Sequence, residues 1–170
     1  MGARLNTLRE YLQDSVQDGE EERVFVDIEL LALSFATGIQ DAISYPDYHC
    51  FASNQTGNTV LLALAAADVG TDLFNTANTC LSLGVFLGGC FTMGQIGNAV
   101  GARKRWWLVL TNLFSTALMF VAAGIQYAMP VDVSGPRALG VITLLAFSSA
   151  AQVAMARPLN VPQITTVSRE

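Results

Sequence analysis

Between Asp72 and Arg103 the chain places no Asp, Glu, Lys or Arg, which leaves an uncharged run of thirty residues from Leu73 to Ala102. A helix needs only about twenty such residues to cross the hydrocarbon of a bilayer. Runs of the same kind extend from Trp106 to Val131 and from Ala138 to Ala156, and none of the four charged types occurs from Tyr48 to Ala67. Charged residues make up 14% of the chain and hydrophobic ones 52%, where soluble domains run near a quarter charged. A soluble fold would have to bury such helices on all sides, and a chain of 170 residues is too small to cover them. The sequence predicts an all-α, polytopic transmembrane helix bundle whose principal partner is the lipid bilayer.

Length and polarity divide the chain into an acidic leader over 1–23, a transmembrane domain over 24–157 and a polar tail over 158–170. About five spans are expected, over 24–45, 51–70, 75–101, 106–129 and 137–156. Pro46 is expected to end the first, because the residue before a proline is pushed out of helical geometry. The second reaches spanning length only if Phe51 to Gln55 lie at membrane depth. Trp106 and Trp107 follow the basic trio Arg103, Lys104 and Arg105, the place of an interfacial belt. The net charge of −5 comes mostly from the front end, and no basic patch for nucleic acid is visible. With five spans, the balance of Lys and Arg puts the 103–105 loop in the cytoplasm and the leader outside. The leader lacks the basic start and apolar core of a signal peptide, so the first span is expected to direct insertion.

Glycines mark the expected packing. Gly84 and Gly88 form one small-xxx-small pair on the third helix and Gly97 and Gly101 another, and such pairs let backbones approach where lipid supplies no hydrophobic drive. The helical period from Gly84 through Gly88 and Phe91 leads on to Gln95 and Asn98, and this face is expected to be buried against protein.

Polar groups in hydrocarbon are costly and tend to mark pathways. They concentrate in Phe35 to Tyr45 and again in Phe51 to Thr59. Gln40, Asp41, Asn54, Thr56, Gly57, Asn58, Gln95 and Asn98 are the candidate lining of a substrate or ion pathway, with Asp41 as its carboxylate. Thr56-Gly57-Asn58 suits a helix start, whose free amides attract negative charge. Cys50, Cys80, Cys90 and a lone histidine have no metal-ligand spacing, so neither a metal nor another cofactor is expected. No Ser-Lys, paired-Asp or His-Glu arrangement stands at catalytic spacing, so no catalytic residue is assigned and no enzyme is expected. A weak internal echo aligns Phe35, Gln40, Ala42 and Pro46 with Phe147, Gln152, Ala154 and Pro158. It pairs the first helix with the fifth, which run parallel if every span crosses.

Gly38-Ile-Gln-Asp-Ala-Ile-Ser-Tyr45 and Phe51-Ala-Ser-Asn-Gln-Thr-Gly-Asn58 resemble the signature of the YoaK-like multi-pass membrane proteins, a family catalogued as domain of unknown function 1275. In that family a Gly-x-x-Asp-Ala segment closes the first helix and a Thr-Gly-Asn triplet opens the second. Gly38, Asp41, Ala42, Thr56, Gly57 and Asn58 occupy the matching positions, and a more diffuse similarity runs from Glu29 to Thr166. Family members carry one span more than this sequence offers, so the resemblance implies a member lacking its last helix. The resemblance implies fold and membrane location, and it brings no established activity.

Two functional expectations follow. The first is a transporter-like protein for a small solute or ion, in which Asp41 is neutralised by a proton or cation as the site changes exposure. The second is a non-transporting membrane scaffold or interaction protein, whose polar groups satisfy one another while its glycines pack helices. Helix faces left uncovered in one copy point to a homo-oligomer.

Overall fold

A computed structural model describes residues 10–14, 20–128 and 132–159. The leader and the polar tail lie largely outside them. The described residues are helical apart from turns and connectors, in keeping with the all-α expectation. We number the main helices α1 (Glu20–Tyr48), α2 (Gln55–Ala66), α3 (Thr76–Val100), α4 (Arg105–Ala128) and α5 (Pro136–Ala156). Short 3₁₀ turns follow α2 at Thr71–Leu73 and α5 at Arg157–Leu159.

Local chemistry sets the boundaries. α1 runs three residues past the expected stop and carries Pro46 inside its last turn; a missing N–H there removes only one bond of a helix about to end. His49, at φ 54°, then turns the chain away. Asn54 caps α2 by accepting from the Gly57 amide at 3.0 Å, and Asn75 caps α3 by accepting from Asn78 N–H at 3.1 Å. Gly101, at φ 104°, lets the chain leave α3. Pro136 opens α5, where an absent N–H is no loss.

α5 is the central helix. It packs against α1, α3 and α4, and 61% of its most apolar stretch is buried, against 22% for α3 and 17% for α4. Small residues make the close contacts. A Cβ placed on Gly89 of α3 would stand 2.7 Å from the Ala150 Cβ of α5, so this crossing admits only hydrogen. Ala122, Ala146, Ala150 and Ala151 are fully buried at the neighbouring contacts.

The face of α3 that packs is therefore not the expected one. Gly84 and Gly88 are exposed with nothing within 4 Å of a Cβ built on either, Phe91 is 68% exposed, and Gln95 and Asn98 lie on the same open side. The buried side instead carries Asn78, Thr79, Ser82, Gly89, Met93 and Gly97. Gly97 sits under the Trp107 indole, and Gly101 serves the terminal turn rather than a helix crossing.

The hydrogen bonds also fix where helix ends lie. The Asn75 amide donates to the His49 carbonyl at 3.0 Å, the Asn78 side chain donates to Tyr48 O at 2.8 Å and Val133 O at 2.9 Å, and the Tyr45 hydroxyl donates to Leu73 O at 3.2 Å. Gln126 reaches the Tyr48 hydroxyl at 3.0 Å. Thus the end of α1, the start of α3, the end of α4 and the connector before α5 gather at one end of the bundle, here termed the hairpin end. Gly101 to Arg105 and Arg157 mark the opposite, basic end.

It follows that the segment joining α1 to α3, with α2 in it, leaves from and returns to the hairpin end. Its 12 residues rise roughly 18 Å, well short of the roughly 30 Å of hydrocarbon, and the continuous helix expected over 51–70 is not formed. With α2 folded back, α1 and α5 run antiparallel, whereas five full crossings would have made them parallel. At the basic end, Arg105 N–H donates to Asp14 O at 3.2 Å and its guanidinium lies 4.2 Å from the Tyr11 ring centre. The leader segment 10–14 thus rests on the 103–105 loop.

Candidate functional site

The non-helical stretch between α1 and α2 is held by two side chains. Asp41, about two turns before the end of α1, accepts from Ala52 N–H at 2.9 Å and Ser53 N–H at 2.7 Å through Oδ1, and from the Ser53 hydroxyl through Oδ2. Asn58, fully buried on α2, accepts from Phe51 N–H at 2.9 Å and donates to Phe51 O at 2.8 Å, pairing with that backbone as a strand would. Ser82 of α3 completes the knot by donating to Phe51 O at 2.8 Å and accepting from Asn58 Nδ2 and from Gln55 Nε2 at 3.2 Å each. Backbone outside helices has no water to turn to in a bilayer and must be paired within the protein. These groups do that pairing.

The two signature glycines divide. Phe51 stacks on Tyr45 with ring centres 4.7 Å apart, and its edge lies so close to Gly57 that a Cβ there would stand 2.8 Å away. Gly57 is needed for that contact. Gly38 faces open space.

Of the residues expected to line a pathway, Asp41, Asn54, Gly57 and Asn58 are drawn together as parts of this knot. Thr56 is exposed beside it, and Gln95 and Asn98 lie away from it on the uncovered side of α3. In this conformation Asp41 is an anchor with its oxygens occupied by loop donors.

Gln40 belongs to a second polar cluster inside the bundle. Its Nε2 donates to Leu145 O and Ser149 Oγ of α5, both at 3.2 Å. On the other flank of α5, Ser148 donates to Ser115 O of α4 at 3.0 Å and Gln152 donates to Ser115 Oγ at 2.9 Å. Three buried oxygens in this cluster meet no partner: Gln40 Oε1, Gln152 Oε1 and Thr111 Oγ1. Sequence reading singled out Gln152 only as an echo of Gln40 and passed over Thr111, Ser115, Ser148 and Ser149. Their signal was the i, i+4 spacing of Thr111 with Ser115 and of Ser148 with Gln152, which lines up polar groups on one helix face.

The family model for a protein of unknown function, DUF1275, matches residues 30–168. The chain belongs to the DUF1275 family. The match spans both polar clusters and every helix from Leu30 onward, so the knot and the α5 cluster both lie within the DUF1275 region. No curated protein and no solved structure matches the chain. Among the described residues no group of His, Cys, Asp or Glu is placed to hold a metal ion. Three helices, Thr76–Val100, Arg105–Ala128 and Pro136–Leu159, are long and apolar enough to cross a membrane. This DUF1275 member is a membrane protein.

Proposed function

We propose that the chain is a transporter-like membrane protein for a small solute or ion, and that the segment from His49 to Ala66 is its re-entrant element. The observation that carries this reading is that the segment between α1 and α3 leaves from and returns to the hairpin end, with its entry pinned by Asp41, Asn58 and Ser82. Irregular backbone at membrane depth is tolerated where it is buried in protein or lines a water-filled cavity, and broken helices of this kind build the sites of many secondary transporters. The antiparallel relation of α1 and α5, which carry the echoing Gln40 and Gln152, fits the inverted repeats on which such transporters are built.

The reading also assigns a direction. Arg23, Arg103, Lys104, Arg105 and Arg157 belong to the basic end and Arg137 alone to the hairpin end among the described residues. Positive-inside logic puts the basic end in the cytoplasm and the hairpin end outside. The leader then lies inside, the reverse of what five crossings implied. Asp47, Asp72 and Asp132 lie at the hairpin end, a charge balance that draws in cations rather than anions.

The test is a thiol-accessibility scan. Single cysteines replace Ser53, Gln55 and Thr56 in a variant whose Cys50, Cys80 and Cys90 are alanine, and intact cells are treated with a membrane-impermeant methanethiosulfonate. Labelling from outside at Ser53 and Gln55 supports a wet re-entrant element. Protection at all three positions, with labelling only after denaturation, removes the transport reading.

A scaffold role is the second reading, favoured by the uncovered side of α3. Gly84 and Gly88 leave that helix open to close approach by another. Disulfide crosslinking between copies through Gly84→Cys, in a chain that shows no thiol access at Ser53, selects it.

A further inference from the structure

On the open side of α3, Gly84, Gly88, Phe91, Gln95 and Asn98 follow one another at intervals of 4, 3, 4 and 3 residues. All five are exposed, a Cβ built on either glycine meets nothing within 4 Å, and neither carboxamide has a hydrogen-bond partner among the described residues. The row covers about 20 Å of helix. The outward faces of α1 and α4 are built differently. Leu31 and Phe35 stand out on one and Val109, Leu113 and Phe120 on the other, all more than half exposed; Asn112 is the one exposed carboxamide on either, among the described residues. Large apolar side chains suit hydrocarbon, whereas a carboxamide loses its hydrogen bonds there and glycines serve the approach of another helix. Gln95 lies about 8 Å of rise inside the end of α3, deeper than the contact of Gly97 with the interfacial Trp107.

We infer that this row is the contact between two copies of the chain, packed as a parallel, left-handed pair of α3 helices. Alternating steps of 4 and 3 make the seam of a coiled coil, and a period of about 3.5, shorter than the helix's own 3.6, winds two helices left-handedly at a crossing near 20°. Copies inserted in one direction are related by a two-fold axis along the membrane normal, so each residue meets its own counterpart at its own depth. The seam suits that arrangement. It carries no charge, so no counterparts repel. A carboxamide both donates and accepts, so Gln95 bonds the Gln95 of the second copy, and Asn98 does the same one turn nearer the basic end. Gly84 and Gly88 let the two backbones close, and Phe91, leaning toward its helix N-terminus, covers the space above Gly88 of the second copy. An unrelated helix would have to supply matching amides at the same two depths, whereas a second copy supplies them by symmetry. The contact goes beyond the transport reading and is compatible with a transporter and with a scaffold.

The test is oxidative crosslinking in native membranes. In the variant whose Cys50, Cys80 and Cys90 are alanine, single cysteines replace Gly84, Gly88, Phe91, Gln95, Ile96 and Leu113 in turn. Ile96 neighbours Gln95 but is turned about 100° from the seam, and Leu113 stands outward on α4 at about the depth of Phe91, as the Gly89–Ala150 and Ser115–Ser148 contacts align the helices. A disulfide needs Cβ atoms within about 4.5 Å. Products of twice the chain's mass are expected at Gly84, Gly88, Phe91 and Gln95, with yields at Ile96 and Leu113 lower by about fivefold or more. The dimer is measured separately, with native cysteines kept, by single-molecule photobleaching of the tagged chain diluted in phosphatidylcholine vesicles. Gln95→Leu is expected to weaken association about eightfold, the loss of two reciprocal bonds of the strength found between membrane helices. Gly88→Ile weakens it by more than about tenfold, and Leu113→Ala leaves it unchanged.

Four outcomes overturn the proposal: equal yields at Phe91, Ile96 and Leu113, which mean random collision; products at Gly84 and Gly88 alone, which mean a glycine crossing without the amide pairs; products joining the chain to a different protein; or a dimer unchanged by Gln95→Leu. The seam faces away from its own bundle, so Gln95→Leu keeps the parent's melting temperature in detergent and a loss of dimer is not a loss of fold. Seam products together with thiol access at Ser53 describe a dimeric transporter, and with protection there a dimeric scaffold. Access at Ser53 without seam products rejects this contact and leaves the re-entrant reading intact.

Discussion

Replacing Asp41 by alanine probes the knot most directly. The carboxylate accepts from two backbone amides and one hydroxyl of the 52–53 turn. Hydrogen bonds to a charged group contribute about 1.5–3 kcal/mol each, which summed without discount would reach the whole stability of many domains. Asp41 is half-buried, so water reaches part of the turn once the carboxylate is gone and recovers some of that loss. We expect Asp41→Ala to cost about 2–4 kcal/mol, a fall in melting temperature of roughly 4–16 °C at about 2–4 °C per kcal/mol. Asp41→Asn keeps one acceptor oxygen for the two amides and loses the charge, and is expected to cost about 1–2 kcal/mol. Ser53→Ala removes one bond only. The assay is thermal melting of the purified chain in detergent for the four proteins of the Asp41/Ser53 cycle, since residues in one network depart from additivity by about 0.5–3 kcal/mol. A melting temperature for Asp41→Ala within about 1 °C of the parent, or strict additivity with Ser53→Ala, refutes the anchor role.

Gly89→Leu drives a side chain into Ala150 and is expected to cost about 3 kcal/mol or to prevent folding; Gly84→Leu, on the open side, changes melting by less than about 1 kcal/mol, and equal effects at both sites contradict the α3–α5 crossing. Asn58→Ala removes the bonds Asn58 makes to Phe51 N–H and O, leaving only Ser82 on that oxygen, and is expected to cost about 2–4 kcal/mol, with faster proteolysis between Cys50 and Gln55 as the readout. Cysteines at Ser134 and Lys104 report orientation: an impermeant reagent labels Ser134→Cys from outside and Lys104→Cys only after permeabilisation, and the reverse pattern overturns the assigned direction.

The fold class was legible because uncharged runs longer than a bilayer's needs leave few alternatives, and α3, α4 and α5 realise those runs. The return of α2 was not legible. It depends on Asn75 and Asn78 at the start of α3 meeting His49 and Tyr48 at the end of α1, and hydropathy does not record which helix ends meet. Gly84 and Gly88 misdirected the reading of α3 because their spacing is right for packing, while the pairing side is marked by Asn78, Ser82 and Gly89. Asp41 was visible as an unusual carboxylate in apolar sequence, but its donors are main-chain amides, which carry no residue code. Gln40 and Gln152 were linked by the echo alone; their shared state, one nitrogen bonded to a serine and one oxygen open, is set by how α1 and α4 pack on α5.

The knot around Phe51 also orders how the chain is made. Asp41 and its partners at Ala52 and Ser53 are close in sequence and close the turn as soon as they emerge. Asn58 and Ser82 are 24 residues apart, so Phe51 O and the Asn58 amide lack their third member until about two turns of α3 have left the ribosome. Until then Phe51 and Asn58 hold only each other and Gln55, without the Ser82 hydroxyl. The Ser82 bonds thus tie α3 to the α1–α2 connector, and a lesion at Ser82 is expected to slow the joint release of α1, α2 and α3 into the bilayer.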